Sequence, residues 1–587
     1  MAPTPNAPRR SRALLVALTT LAVLIGLGAW LRFTGIDFLL PEHPEPDGGK
    51  IVFQLDAHEG RIANPEEHDY WGFYPHLISQ AARAWPAPDG PEPGATATLE
   101  QHRERARSTY SRVRRTVAVL SLLVVPATFL LARRFLSSVW SAVAAALVST
   151  SFLHVWFAQQ ARPHAVACGL DVLVVLAAVR MYARPSVLTW SLGPLAFGLA
   201  IACLQSGIAT GIALVAAVAL VREKPLKLWL ALGVSGLVSA WLALGLYPPS
   251  NDPELVSAPI IGWDSKYGML LLKGHKVIVG LFNGDGLPIV LRGLWEYEPL
   301  LFALATVAIV FALVRRWNYL PVGRDDRYGE LKVVLAFTVA YFVVIALYAR
   351  TYQRFLLPLV PFVAILAAWT LALVARRLRV ASSLGALALA LPVLGAEGLA
   401  TWRLGRVRSE PSTLSRAADW LRANVAPERT LFLFPAIDVA LATTDASRAK
   451  DTASYDVLGY PWRQWCSAVG EAGLPAPHFA LAPLPFGAKE MRALRQDAAQ
   501  YALALDADYA VVEVYEHYWR SRLLKNAYDG IVLRGELVAR FSPDGARPND
   551  GLPLSYQDDA MPRNVHWLGR VLRAESTGPV VEIYRLR

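Results

Sequence analysis

The chain has 587 residues, of which 54% are hydrophobic and 18% charged; soluble domains carry about 25% charged residues. The excess of apolar residues lies in the first 400 positions, in runs of about 18–22, the length that crosses about 30 Å of hydrocarbon at 1.5 Å per residue. A single soluble core is excluded by the number of such runs. The net charge of +11 does not point to nucleic acid, because much of it sits in short loops between the runs. Three cysteines, Cys168, Cys203 and Cys466, form no disulfide framework and no paired metal motif.

In chain order, residues 1–12 are a basic, proline-rich tail, and 13–31 are a first span. No small-residue cleavage site closes that span, so it reads as uncleaved, with its amino end in the cytoplasm. A long polar segment, 32–112, follows and is expected to face outward. Loops beyond about 15 residues are uncommon unless they work or are disordered, so this one is expected to be a catalytic loop. Further spans are expected at about 116–132, 138–157, 165–179, 187–204, 206–221 and 228–246. A second outward loop covers 247–296, and the last spans fall at about 298–314, 332–348, 355–375 and 383–400. Eleven spans place the inward loops after positions 133, 180, 222, 315 and 376, and each is rich in Arg or Lys. The fold class expected is a polytopic α-helical membrane protein with a membrane domain, 1–404, and a soluble extracytoplasmic α/β domain, 405–587.

In that last domain STLSRAADWLRAN has the apolar spacing of an amphipathic helix, with Ser412 or Thr413 to cap it. LFLFP, ADYAVVEVY and PVVEIYRLR read as strands.

The residues that can carry chemistry gather in the expected outward segments. Asp47 stands in PEHPEPDGG, where prolines restrict the backbone and Gly48 and Gly49 permit a tight turn or the approach of a ligand. It reads either as a general base at the membrane surface or as an exposed loop carboxylate. Asp56, His58 and Glu59 form a rival acidic cluster, and Asp47, Asp56 and Glu59 are the carboxylates available to a divalent metal, although their spacing is not diagnostic. Tyr70, Trp71, Tyr74 and His76 suit either an interfacial belt or stacking on a sugar ring. Arg162 and His164, Arg350 and Arg354, and Lys273, His275 and Lys276 are cations on the expected outward edge, against the trend that orients the chain. A phosphate head group is a natural partner for them, as are snorkelling to the surface and pairing with a loop carboxylate. Arg112 and Arg115 are further candidates at the start of the second span. A carboxylate, cations and aromatics on one lipid-facing edge suit transfer of a group from a polyprenyl-phosphate carrier.

LRFTGIDFLLPEHPEPDG, NPEEHDYWGFYPHLIS, FAQQARPHAVA and QRFLLPLVPF, in this order, resemble segments of the lipid-carrier-dependent glycosyltransferases of GT-C fold, the group of protein O-mannosyltransferases and aminoarabinose transferases. The resemblance covers about 15–400 and implies a catalytic aspartate at Asp47, with Gly48 where many relatives have Glu. It implies a late Arg–Phe–x–x–Pro segment, Arg354 to Pro358, near the carrier phosphate. The expected function is an inverting glycosyltransferase that moves a sugar from a polyprenyl-phosphate carrier to an extracytoplasmic protein, lipid or glycan acceptor. It would sit in a bacterial inner membrane, with either no cofactor or a divalent metal and no nucleic-acid partner. The alternatives are a transporter or flippase of a lipid-linked saccharide, and a non-catalytic membrane scaffold. A transporter with paired, broken halves is not evident.

Overall fold

The computed structural model describes residues 7–587 except 41–44, 46–47, 63, 68–70, 88–98, 247–260, 265–268, 273–274, 315–325, 350, 381, 427–428, 435–440, 442–478, 483–491, 495, 515–521 and 544–566. Among the described residues seven helices are long and apolar enough to cross a membrane, or nine if each of two bent pairs counts as one span. Each of the eleven expected runs falls on helix, but two do not reach the length of the others. They are Val187–Cys203 and the stretch Gln205–Leu220, which opens with a 3-10 turn, Gln205–Thr210. Seven to nine spans are the count that length and composition support among the described residues. The chain is a multi-pass α-helical membrane protein with a carboxy-terminal sheet-containing domain.

The chain divides into two compact units. The first comprises Met1–Phe33, Phe53–Ala84 and Val113–Trp402, and the second Thr34–Val52, Trp85–Arg112 and Arg403–Arg587. In the first unit, helices His164–Ala183 and Gln353–Arg377 are largely buried within the protein, whereas the first helix and Leu226–Gly245 expose most of their apolar surface. Leu237, Trp241 and Val215 are each at least 70% exposed. Such surface is unfavourable in water and ordinary against lipid. Helices Val187–Cys203 and Leu226–Gly245 pack closely because Gly198 lies against Ser239, where a Cβ would meet the serine Oγ at 2.4 Å.

Two breaks in the first unit are tied to each other. Ser138–Thr150 gives way to Phe152–Ala158 with a 50° bend, and Gly286–Tyr297 to Pro299–Val314 with a 119° bend. Ser151 caps the helix after the first break, accepting from the His154 backbone N–H at 3.1 Å. Glu298, at the second break, accepts from the Ser151 hydroxyl and from the Leu153 backbone N–H, the latter at 2.8 Å. Pro299 starts the next helix, where a missing N–H costs nothing. A small antiparallel sheet, β1 (Ile261–Asp264), β2 (Met269–Leu272) and β3 (His275–Ile278), lies between Leu226–Gly245 and Gly286–Tyr297 in the chain.

The second unit holds a five-stranded sheet built from β4 (Thr430–Phe434), β5 (Ala480–Ala482), β6 (Tyr509–Val514), β7 (Gly535–Phe541) and β8 (Val580–Leu586), in the order β5-β4-β6-β8-β7. β4 pairs parallel with β5 and β6, and β8 antiparallel with β6 and β7. Side chains alternate along each strand, so one run serves two cores. Leu431, Leu433, Val511, Val581 and Ile583 pack under helix Thr413–Asn424 through Leu414, Ala417, Ala418 and Leu421. Phe432, Phe434, Val512, Val514 and Val580 face the opposite side, with Ala498, Ala502 and Ile531. The double burial explains why the strands read as continuous apolar runs. Ser412 caps the helix, accepting from the Ser415 N–H at 3.0 Å, as its sequence suggests. At Gly35, φ is +74° and a Cβ would meet the Gly405 carbonyl at 2.3 Å, so only glycine permits this crossing. Beside it Arg408 lies over the Phe38 ring at 3.9 Å.

Candidate active site

Among its described residues the expected loop 32–112 is more helix than loop. It contains Gly48–His58, a 3-10 turn at Pro65–Glu67, Leu77–Ala82 and the first turns of Leu99–Ser121. Gly48 and Gly49, read as permitting a tight turn or the approach of a ligand, begin a helix. Asp47, the residue before it, lies outside the described residues, as do Lys273 and Arg350, and of His275 only the backbone in β3 is described.

The helix Gly48–His58 ends on Gly60, whose φ is +75°. The Gly60 N–H donates to Ala57 O at 3.0 Å and the Arg61 N–H to Asp56 O at 2.9 Å. This paired bonding around a left-handed glycine turns the chain back over the last helical turn. It carries the Arg61 guanidinium onto both acids: Nε reaches Asp56 Oδ1 at 2.9 Å, and Nη2 pairs with Glu59. Asp56 is 5% exposed. A fixed guanidinium thus holds Asp56 and Glu59, two of the three carboxylates that the sequence offers to a metal. Among the described residues no group of three His, Cys, Asp or Glu side chains is placed to hold an ion.

The neighbouring aromatics form one chain of bonds. His58 Nε2 is 3.0 Å from His76 Nδ1, and His76 Nε2 is 2.8 Å from Trp71 O. A carbonyl only accepts, so His76 carries its proton on Nε2 and accepts at Nδ1 from His58 Nε2–H. His58 Nδ1 then accepts from the Gln80 amide at 3.1 Å, while Gln80 Oε1 accepts from Arg83 at 3.1 Å. Gln54 donates to Trp71 O at 3.0 Å and to Tyr74 O at 2.8 Å, with Tyr74 and His76 both buried. Burial, then the Arg83 cation, hold the His58 imidazole below its usual pKa. Protonating it would set an N–H against the Gln80 amide group. The unfolded imidazole, near pKa 6.5, then binds a proton before the folded one. The order contributed by this chain is therefore present above about pH 6.5 and lost as pH falls below it. Hydrogen exchange of the segment 54–83, corrected for intrinsic rates, is expected to speed up between pH 7.5 and 5 in the wild type. It should be less pH-sensitive in His58→Gln, and equal slopes in the two proteins would remove His58 as the cause.

Tertiary bonds then gather the expected outward segments at the ends of several helices. Gln205 Nε2 donates to Phe73 O at 2.9 Å, and the His76 N–H to Leu246 O at 2.7 Å. Cys203 Sγ is 3.7 Å from Pro163 O, between Arg162 and His164. One turn into the helix that His164 begins, Cys168 Sγ donates to Leu357 O at 3.1 Å in the 3-10 segment Gln353–Leu359, which carries Arg354. Tyr341 donates to Phe355 O at 3.0 Å in the same segment. The segments bearing Tyr74 and His76, Arg162 and His164, and Arg354 are thus linked through one set of helix ends. Arg162 and His164 are buried, and Arg354 is half-buried with its guanidinium 4.3 Å from the Tyr352 ring centroid. The 279–285 stretch joins them, since Ala349 N–H donates to Leu281 O at 2.7 Å.

Sequence reasoning missed two polar groups inside the first unit. Arg32 is fully buried, and its guanidinium reaches Ser121 Oγ at 3.2 Å, Gly28 O at 2.9 Å, Ser149 O at 3.1 Å and His154 Nδ1 at 3.0 Å. Glu298, at the second helix break, and Glu397, in helix Ser383–Ser409, are both buried. The available signal was a polar residue within an apolar run, which defaults to function or a specific partner in a membrane protein. Among the described residues, Asp171 carries the same signal: it is buried in His164–Ala183 and its Oδ1 has no hydrogen-bond partner.

No family model matches the chain. No curated protein matches it either. Among solved structures it is similar to the oligosaccharyltransferase AglB from Archaeoglobus fulgidus, in complex with an inhibitory peptide and a dolichol-phosphate. The identity is 12% and the TM-score 0.44, over 90% of this chain and 73% of that one. It is similar to ArnT from Cupriavidus metallidurans at 13% identity and TM-score 0.43, over 89% of this chain and 96% of that one. It is also similar to the arabinofuranosyltransferase AftD from Mycobacteria at 16% identity and TM-score 0.42, over 96% of this chain and 40% of that one.

Proposed function

We propose that the chain is an inverting glycosyltransferase that moves a sugar from a polyprenyl-phosphate carrier to an acceptor outside the cytoplasmic membrane. Residues 1–404 would be the transferase domain and 405–587 an extracytoplasmic domain, with the amino terminus in the cytoplasm of a bacterial cell. The observation that supports this reading is the linkage of the 71–76, 162–164 and 353–359 segments at one set of helix ends. Buried Arg162, half-buried Arg354 and membrane-spanning helices are the parts needed to hold a sugar phosphate whose tail lies in lipid. In this reading Asp47 takes the proton of the acceptor hydroxyl as general base. Arg162 and Arg354, with Lys273 or His275, hold the phosphate as it leaves and stabilise its charge. Asp56 and Glu59 keep Arg61 in place. An apolar groove of about 1030 Å³, lined by Leu24, Leu27, Leu31, Leu391, Leu394 and Leu399, has the character a hydrocarbon tail requires.

The test is mass spectrometry of the lipid that copurifies with the protein, followed by a transfer assay with that lipid as donor. Arg354→Ala is expected to raise KM for the donor about tenfold, the cost of one charge-assisted phosphate contact. An unchanged KM would take Arg354 out of the donor site. A lipid that is moved across vesicles without any transfer would favour the transporter reading instead.

A further inference from the structure

The second unit contains a cleft of about 450 Å³ that the proposed transfer does not use. It is lined by Arg403, Arg406 and Arg416, by Glu410 and Glu575, and by Ser576. Ser576 is 3% exposed, and its hydroxyl has no hydrogen-bond partner among the described residues. A buried hydroxyl in that condition wants an acceptor or a donor. The Ser576 and Glu575 backbone N–H groups are already committed to Pro543 O, so the hydroxyl is the group left to serve a ligand.

The arginines are arranged to accept one. Arg403 donates through Nη2 to Ala574 O at 2.6 Å, which fixes the guanidinium while other N–H donors of its five stay available. Arg406 stands 3.8 Å from Glu410, with both side chains at least half exposed, a pair of small worth that a better acceptor displaces. Arg416 lies 5.6 Å from the Phe541 ring. Three cations against two carboxylates leave the lining one positive charge in excess. That excess matches a phosphodiester, which carries one negative charge, better than a phosphomonoester, which carries about 1.5 to 2.

Position argues for the source of the phosphodiester. Arg403 follows directly on the apolar run 383–402 in the continuous helix Ser383–Ser409. Twenty residues at 1.5 Å each span about 30 Å of hydrocarbon, so Arg403 and Arg406 fall at head-group depth. We propose that this cleft binds the head-group phosphodiester of an anionic glycerophospholipid through Arg403, Arg406, Arg416 and the Ser576 hydroxyl.

The experiment titrates the detergent-solubilised full-length protein with fluorescent phosphatidylglycerol and, separately, phosphatidylcholine, with inorganic phosphate as competitor. Phosphatidylglycerol is expected to bind more tightly, and the double variant Arg406→Ala/Arg416→Ala to weaken it at least about tenfold. Ser576→Ala is expected to weaken it about threefold, one neutral hydrogen bond. Lys525→Ala, an exposed cation paired with Asp529 elsewhere in the unit, is expected to bind as wild type. Should the double variant fail to fold, Arg406→Gln alone replaces it, with about threefold weakening expected from an exposed charge. Binding within twofold of wild type in the arginine variants overturns the proposal. So does equal binding of the two lipids, or an equal loss in Lys525→Ala. Displacement by inorganic phosphate as effective as by unlabelled phosphatidylglycerol overturns the lipid assignment in favour of a soluble anion.

Discussion

Asp47→Asn protein is expected to bind donor lipid as the wild type does and to turn over about 10²- to 10⁴-fold more slowly, the usual contribution of a positioned general base. The amide keeps the shape of the side chain and removes its basicity, so folding and donor binding serve as internal controls. Asp56→Asn is the discriminating partner. Its carboxylate is committed to Arg61 in the turn that ends helix Gly48–His58. Losing that pair should loosen the 54–61 turn, with turnover within about tenfold of wild type. Single-turnover assays with prebound donor separate the two effects. Near-normal turnover in Asp47→Asn removes it as the base. A dead Asp56→Asn protein that still binds donor would move the base there.

The second large effect is structural. Arg134 donates through Nε to Glu330 Oε2 at 2.8 Å, and its Nη2 reaches the other carboxylate oxygen. The bond to Glu330 pushes the guanidinium pKa up. The Glu330 side chain is only 4% exposed against 25% for Arg134. Removing the arginine strands a buried carboxylate that water cannot reach. Arg134→Ala is therefore expected to cost about 3 kcal/mol, the low end for a broken buried pair because Arg134 is itself partly solvated. Removing both charges with Arg134→Met/Glu330→Leu should recover most of that loss, since apolar pairs of similar volume often replace buried ion pairs without penalty. Equilibrium unfolding in mixed micelles measures both. A loss below about 0.5 kcal/mol in Arg134→Ala would show the pair behaving as a surface bridge.

Parts of the site were legible at short range. Gly60 two residues after His58, with Arg61 next, is a helix-ending signal, so the pairing of Arg61 with Asp56 and Glu59 lay within reach of a local argument. The tandem of Ser412 and an amphipathic run announced the helix Thr413–Asn424 for the same reason. The linkage of the segments bearing Tyr74, Arg162 and Arg354 was expected as one lipid-facing edge, without the bonds that make it. The bonds that link their segments join positions 132, 40 and 189 residues apart in the chain. Arg32, Glu298 and Glu397 were passed over because a window average dilutes one charge among many apolar neighbours.

What the sequence determined by itself is which stretches are apolar enough for lipid and, in the last domain, the helix Thr413–Asn424 and the strands β4, β6 and β8; the helices within 32–112 and the strands β1–β3, β5 and β7 escaped it. These properties sum over neighbours within a few turns, and hydrocarbon leaves the backbone of a spanning segment little choice but to satisfy itself. The tertiary structure alone decided which polar groups meet. A glutamate in an apolar run must find a proton or a donor, but every distant serine, carboxyl or N–H is an equal candidate until packing chooses. That choice made Glu298 the clasp between two helix breaks.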